Sequence, residues 1–233
     1  MIEALDRFKE EYDAANRALE PMLGTKPLFG LDRIVLRNNL YGWDVLQESA
    51  ELAKLSTWLR TASRNELLED LGETVSDRDS LLSEEQGQFH LVVSNPPWGA
   101  DLEGWTDEQL LRRFPDCGEE KDSYAAFLIL AHQLLVEGGV VSFTMPNSWL
   151  TTRGYERFRW WMLKGFEILE IVNVWKIFSD VNHDACIVVL RKRNATESDG
   201  PKTKVRCIAR GGTEPEKCAR LAEERWTVKF ETS

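Results

Sequence analysis

The chain has 233 residues with 29 basic and 39 acidic side chains, so its formal net charge is −10. A hydrophobic fraction of 42% and a charged fraction of 29% are ordinary for a globular domain with a sizeable core. So acidic a chain is no free-standing nucleic-acid binder, because phosphate contacts need lysine and arginine; a catalytic domain handed its substrate by a separate basic module remains compatible. Cys117, Cys186, Cys207 and Cys218 form no CxxC pair, which argues against a zinc site or a disulfide framework, and no metal is expected. Scattered thiols fit a reducing cytoplasm. No apolar run is long enough to span a bilayer, and the acidic N-terminus is not a signal peptide.

Residues 2 to about 20 read as an amphipathic helix, with Ile2, Leu5, Phe8, Tyr12, Ala15 and Leu19 near helical spacing. Pro21, Gly24, Pro27 and Gly30 then interrupt the pattern. A short helix, LDRIVLRNN, leads into a short strand, Leu40 to Asp44, that ends in an acid. A further helix follows around Leu46 to Leu59, and residues 62–80 are polar with at most a strand near Thr74-Val75. Phe89 to Ser94 reads as a buried strand stopped by Asn95-Pro96-Pro97, because proline cannot continue a central strand. After a loop-rich excursion, Ser123 to Glu137 is a strong helix closed by Gly138-Gly139. The spacing then predicts a strand at Val140–Met145, a helix at Thr152–Lys164 and strands at Ile168–Val174 and Ala185–Leu190. A polar linker, a strand at Val205–Ala209 and a charged helix at Glu214–Glu224 complete the chain. Alternating strands and helices imply an α/β domain with a mostly parallel sheet, and ligands of such sheets sit beyond the carboxyl ends of the strands. Here those ends carry Asp44, Asn95 and Pro146-Asn147.

FHLVVSNPPWG is the most informative string, since a hydrophobic strand delivers an amide, two rigid prolines and an aromatic ring to that edge. The residue types suit an exocyclic aromatic amine, a poor nucleophile whose lone pair is delocalised into its ring. Two acceptors, one on the Asn95 side chain and one the Pro96 carbonyl, favour a tetrahedral nitrogen with its lone pair aimed outward. Pro97 stiffens the turn, and Trp98 offers a π face for a base and for the charge that develops on it.

With these motifs the chain resembles the adenine-specific DNA methyltransferases of restriction–modification systems, particularly the fused type IIG methylase domains and related phage-defence methylases. The likeness runs from about Asp32 to Lys192 in the family's motif order. It implies a Rossmann-like, S-adenosylmethionine-dependent methyltransferase fold acting on a flipped adenine in DNA. LDRIVLRNNLYGWDVLQESAELAKLSTWLR resembles the second cofactor motif, which implies that Asp44 accepts bonds from the ribose hydroxyls and that Trp43 or Val45 flanks the cofactor's adenine. The stretch DSLLSEEQGQFHLVVSNPPWG places Asp79 where the family has an acid for the adenine amine. KDSYAAFLILAHQLLVEGG resembles the next motif and puts Tyr124 at the cofactor and substrate pocket. Asn95 belongs to both the catalytic and the cofactor sets. WKIFSDVNHDACIVVLRK resembles the late motif whose aromatic stacks on the flipped base, which assigns Phe178 opposite Trp98.

One departure is serious. The family's first motif, a strand ending in D-x-A-x-G-x-G, is not in this sequence; it is the central strand between those ending at Asp44 and Asn95, and its loop holds the cofactor's methionine end. The expectation is therefore a fragment: a catalytic domain over residues 1–192 that is incomplete at its N-terminus. Residues 193–233 are then an extension, read as the start of a target-recognition region. An upstream segment or subunit would complete the cofactor site. The competing readings are a methyltransferase of the same fold acting on RNA or on protein glutamine, and a non-catalytic nucleic-acid-binding subunit.

Overall fold

A computed structural model describes residues 1–24, 30–62, 67–99, 102–175, 184–194, 204–207, 216, 219 and 228–229. They fall into two compact units, Met1–Ser83 and Glu84–Ser233.

In the first unit, α1 (Ile2–Leu23) runs three residues past the expected end and carries Pro21 in its last turn. It closes on Gly24, whose φ of 70° is the left-handed cap that glycine adopts without a Cβ penalty. Its inward stripe is Leu5 and Asn16, buried, with Phe8 and Tyr12 half-buried, whereas Ala15 and Leu19 are exposed. Leu5 packs with α2 (Leu31–Asn38) through Val35 and Leu36, and with Leu40, Leu71 and Val75. Trp58 of α3 (Gln47–Thr61) joins this cluster and donates its indole N–H to the Glu69 carbonyl at 2.8 Å. The unit's sheet is two parallel strands, β1 (Gly42–Asp44) and β2 (Val75–Asp77), with Asp44 opposite Asp77. The weak strand signal near Thr74-Val75 is thus real.

The second unit is built on a six-stranded sheet. Its strands are β3 (Phe89–Ser94), β4 (Leu135–Pro146), β5 (Phe166–Trp175), β6 (Ala185–Lys192), β7 (Lys204–Cys207) and β8 (Val228–Lys229), in the order β3-β4-β6-β5-β7-β8. β3, β4, β5 and β7 share one direction, while β6 runs against both β4 and β5 and β8 runs against β7. The sheet is mixed: four of its six strands share one direction, and β6 and β8 run against them. Between β3 and β4 come α4 (Asp107–Arg113), opened by a Thr106/Gln109 capping box, and α5 (Ser123–Leu134). α5 is buried almost all round, as a helix between a sheet and other elements must be. α6 (Glu156–Gly165) connects β4 to β5. Tyr124, Trp149, Tyr155, Phe158, Trp161 and Phe166 form a connected aromatic layer, and Val141, Phe143 and Met145 are buried along β4.

Two expectations need correction. α5 stops at Leu134, and β4 starts at once. Gly138-Gly139 is therefore not a helix stop but an irregularity in β4, where a Cβ on Gly139 would lie 2.9 Å from the Val136 carbonyl. β3 is not a buried strand: it is the edge of its sheet, with Leu91 54% and Val93 70% exposed. An apolar run such as FHLVV is the same in sequence whether or not a neighbouring strand covers it. The strands ending at Asp44 and Asn95, between which the sequence lacks the family's central strand, belong to different sheets. Of the C-terminal helix, only Glu216 and Ala219 are described, and both are helical.

Candidate active site

β3 ends where Asn95 and the two prolines begin, because neither proline can donate to a ladder. Asn95 and Pro97 are exposed, Pro96 is buried and Trp98 is half-buried. Two hydrogen bonds fix the turn from outside it. The Ser123 hydroxyl, buried at the first turn of α5, donates to the Pro97 carbonyl at 2.6 Å. The Trp98 indole N–H donates to the Thr144 carbonyl of β4 at 3.2 Å. The Trp98 ring packs on Val172, Val174 and Ala185, with Ile187 beside it. A short proline-stiffened turn is thereby clamped to α5 on one side and to the sheet on the other.

Other elements reach the same end of this sheet. β4 runs parallel to β3 and ends at Pro146, which pairs with Ala185 at the start of β6, while the Asn147 N–H donates to the Asp184 carbonyl at 2.9 Å. β5 ends at Trp175, opposite Ala185, in a left-handed conformation (φ 54°) that is uncommon for a bulky side chain and marks stored backbone strain. Phe178, expected to face Trp98, lies outside the described residues. Beside the turn is a groove of about 310 Å³ lined by Gly99, Trp105, Asp107, Glu119, Lys121 and Asp122, among others. A larger recess of about 560 Å³ lies on α6, lined by Arg157, Trp160, Trp161 and Lys164 among others, and includes none of the turn.

Tyr124 is a correction. Its side chain is fully buried, with ring centroids 6.0 Å from Tyr155 and 6.2 Å from Phe158, so it packs instead of lining an open pocket. Burial pushes its hydroxyl well above the ordinary phenol range, and burial followed by the bond donated to Asp122 pushes Tyr155 up to about 12, so both stay protonated. The polar groups at this end of α5 are Ser123 and Asp122, not Tyr124.

The acidic residues gather in the first unit, at the ends of its two parallel strands. Asp44 is exposed, and its Oδ1 accepts the Leu46 N–H at 2.9 Å. Asp79 is half-buried, and its Oδ1 accepts the Leu81 N–H at 2.9 Å, capping a single 3₁₀ turn over Ser80–Leu82. The Arg78 N–H donates to the Asp44 carbonyl at 2.9 Å, carrying the pairing one residue past the strands. Trp43, expected to flank a cofactor base, has the Arg78 guanidinium over its ring at 3.7 Å from the centroid. Neither Ser123 nor Arg78 carries a sequence signal for these roles: a serine opening a helix reads as a capping residue, and a loop arginine as a solvated charge. Among the described residues no cluster of acids, histidines and cysteines could hold a metal ion, and no helix is long and apolar enough to cross a membrane.

The model of the Eco57I restriction-modification methylase family matches residues 38–178, more than half of the chain, from just before β1 through Asn95 to Phe178. The chain belongs to that family. It is 33% identical over 78 residues to the adenine-specific methyltransferase BrxX of Escherichia coli O9:H4, covering 33% of this chain and 6% of that protein. In fold it is similar to the DNA-bound ATP-dependent type ISP restriction-modification enzyme LlaBIII, with a TM-score of 0.71 and 16% identity over 93% of this chain and 18% of that one. It is also similar to a putative class I S-adenosylmethionine-dependent methyltransferase from Listeria monocytogenes, with a TM-score of 0.52 and 17% identity over 91% of this chain and 68% of that one. The fold is that of the class I methyltransferases. The family member spans only a small part of the curated relative and of the restriction enzyme it matches.

Proposed function

We propose that this family member carries the base-binding turn and the nucleoside half of the cofactor site of an adenine-specific DNA methyltransferase working in restriction–modification or phage defence in the cytoplasm. The observation that carries the reading is the clamped Asn95-Pro96-Pro97-Trp98 turn at a strand end. Exposed Asn95 offers a carbonyl acceptor to an amine, and the Ser123 bond to the Pro97 carbonyl holds the peptides after it, so the Pro96 carbonyl keeps its direction as the second acceptor. Trp98, tethered at its indole nitrogen, presents a preset face to a flipped base, and Phe178 is the proposed opposite face. Acceptors set in place before the reaction need no reorganisation as charge develops on the amine.

The donor set of the first unit fits S-adenosylmethionine: carboxylates at the ends of adjacent parallel strands suit a ribose diol, at Asp44, and an adenine amine, at Asp79. When bound, that cofactor supplies the methyl group. The sequence holds no D-x-A-x-G-x-G loop for its methionine end. We infer that further polypeptide, linked or separate, supplies that loop, and that residues 1–192 belong to the catalytic domain and 193–233 to an extension toward target recognition. The exposed edge of β3 supports this reading.

The test is Asn95→Ala in the assembled enzyme. Methyl transfer should fall by about 10² or more, the cost of losing one aligned electrostatic contact. A variant that retains more than half of the parent rate on adenine-containing duplex refutes the assignment. Activity on RNA or a glutamine peptide, with none on DNA, moves the substrate to one of the alternatives.

A further inference from the structure

The loop between β2 and the 3₁₀ turn contributes more than Asp79. Strand side chains alternate faces, so Trp43 and Ser76 lie on one side of the β1–β2 ribbon and Asp44 and Asp77 on the other. Asp44 and Asp77 are directly opposite across the ladder, an arrangement of like charges that destabilises a strand pair. The pairing is only three residues long and is extended by the one bond from the Arg78 N–H to the Asp44 carbonyl. So short a ladder, with two carboxylates side by side at its end, gains order from any contact that ties those ends together. On the opposite side, the Arg78 guanidinium lies over the Trp43 indole at 3.7 Å, within stacking distance. Trp43 directly precedes Asp44 and Arg78 directly precedes Asp79, so this one contact joins the two residues adjacent to the two acids.

We propose that Arg78 is a positioning residue of the nucleoside half-site: stacked on Trp43 and bonded through its N–H to the Asp44 carbonyl, it locks the ends of β1 and β2 so that Asp44 and Asp79 present their carboxylates in fixed register to one nucleoside. The inference rests on the cofactor assignment of Asp44 and Asp79 made above. Its geometry demands a planar cation. Lysine preserves the charge but not the flat stack, and alanine removes both. Arg78 touches no ligand in this scheme; it acts through the placement of Asp44.

The experiment uses the full 233-residue chain and two probes, adenosine and 2′,3′-dideoxyadenosine, titrated by ligand-observed NMR into parent, Arg78→Ala and Arg78→Lys, with thermal melts of each. The parent should bind adenosine about tenfold more tightly than the dideoxy analogue, the value of a charge-assisted hydroxyl contact at Asp44. In Arg78→Ala the adenosine affinity falls toward that of the analogue and the ratio collapses toward one, while the analogue's own affinity changes little. Arg78→Lys recovers part of the ratio. A merely structural residue would weaken both probes alike or lower the melting temperature without altering the ratio. If the parent discriminates tenfold and both variants do so equally, Arg78 is not a positioning residue and the cofactor assignment stands. If the parent does not distinguish the probes or binds neither, the assignment of Asp44 falls and this inference with it. If both variants are unfolded while the parent discriminates, Arg78 serves folding and the proposal is refuted.

Discussion

His132 gives the chain a stability that depends on pH in a calculable way. It lies near the end of α5 with its ring edge-on to Phe166 at 4.9 Å and to Trp161 at 5.6 Å. Burial, and next the cation of Lys192, hold its imidazole down at about 4, against a smaller opposing pull from the Gly165 backbone. Lys192 itself is fixed there, donating to the carbonyls of His132 and Leu135 at 2.8 Å each. The unfolded chain takes up this proton near the ordinary value of 6.5 and the folded chain only near 4. The fold therefore enjoys the full contribution above pH 6.5 and loses it as pH falls through that interval to 4. At about 1.4 kcal/mol per pH unit the ceiling is about 3 kcal/mol, and partial access of water to the ring reduces this to about 2 kcal/mol. Urea unfolding, followed by tryptophan fluorescence at about pH 7.5, 5.5 and 4.5, should show the parent losing about 1–2 kcal/mol more than His132→Gln across the range. Carboxylates titrate in both proteins, so the difference isolates His132. Equal pH slopes in the two proteins would refute the reasoning, whatever their absolute stabilities.

Three further substitutions probe the site and the core beneath it. Trp98→Ala and Phe178→Ala in the assembled enzyme should each weaken binding of the flipped base by about 1–3 kcal/mol, read with 2-aminopurine at the target position; unchanged fluorescence and rate in both would remove the stacking role. Phe158→Ala empties a fully buried position in ring contact with Tyr124, Trp149 and Trp161, and should cost about 3–5 kcal/mol in urea unfolding; a loss below about 1 kcal/mol would mean that the aromatic layer collapses onto the space.

What the sequence reveals here depends on whether the physical cause is local. Pro96 and Pro97 end β3 whatever lies around them, so the turn at Asn95 is legible from the residues alone. The continuous apolar pattern of α5 announces a buried helix in the same way. The clamps are different. Ser123 reaches a carbonyl 26 positions earlier, and Arg78 stacks on a ring in a separate strand, so neither leaves a periodic or motif-level trace. Tyr124 shows the converse error: a motif resemblance gave it a pocket role, whereas its neighbours bury it completely. The exposure of β3 depends on which strands are adjacent, and no property of Phe89 to Ser94 encodes that.

That exposed edge leads to the last prediction. Among the described residues β3 bonds to β4 on one side only, and Leu91 and Val93, two residues apart and so on one face, stand 54% and 70% exposed. When two copies pair edge to edge, four such side chains are covered at roughly 1–2 kcal/mol each, and a few new ladder hydrogen bonds add about 1 kcal/mol apiece. Set against an association cost of at least about 4 kcal/mol, the gain supports weak pairing at high concentration and little at low. The 233-residue chain should therefore associate in sedimentation velocity as its concentration rises from about 5 to 200 μM, a range spanning such marginal affinities. Val93→Lys, a charge of the kind that guards natural sheet edges, should suppress the association while leaving urea stability within about 0.5 kcal/mol, because the position is mostly exposed already. Restoring a strand partner for β3, by adding the polypeptide that carries the glycine-rich loop, should suppress it too and raise affinity for S-adenosylmethionine in the same step. A chain that stays monomeric across the range, or one that binds S-adenosylmethionine at low micromolar concentration unaided, would show that β3 needs no such neighbour.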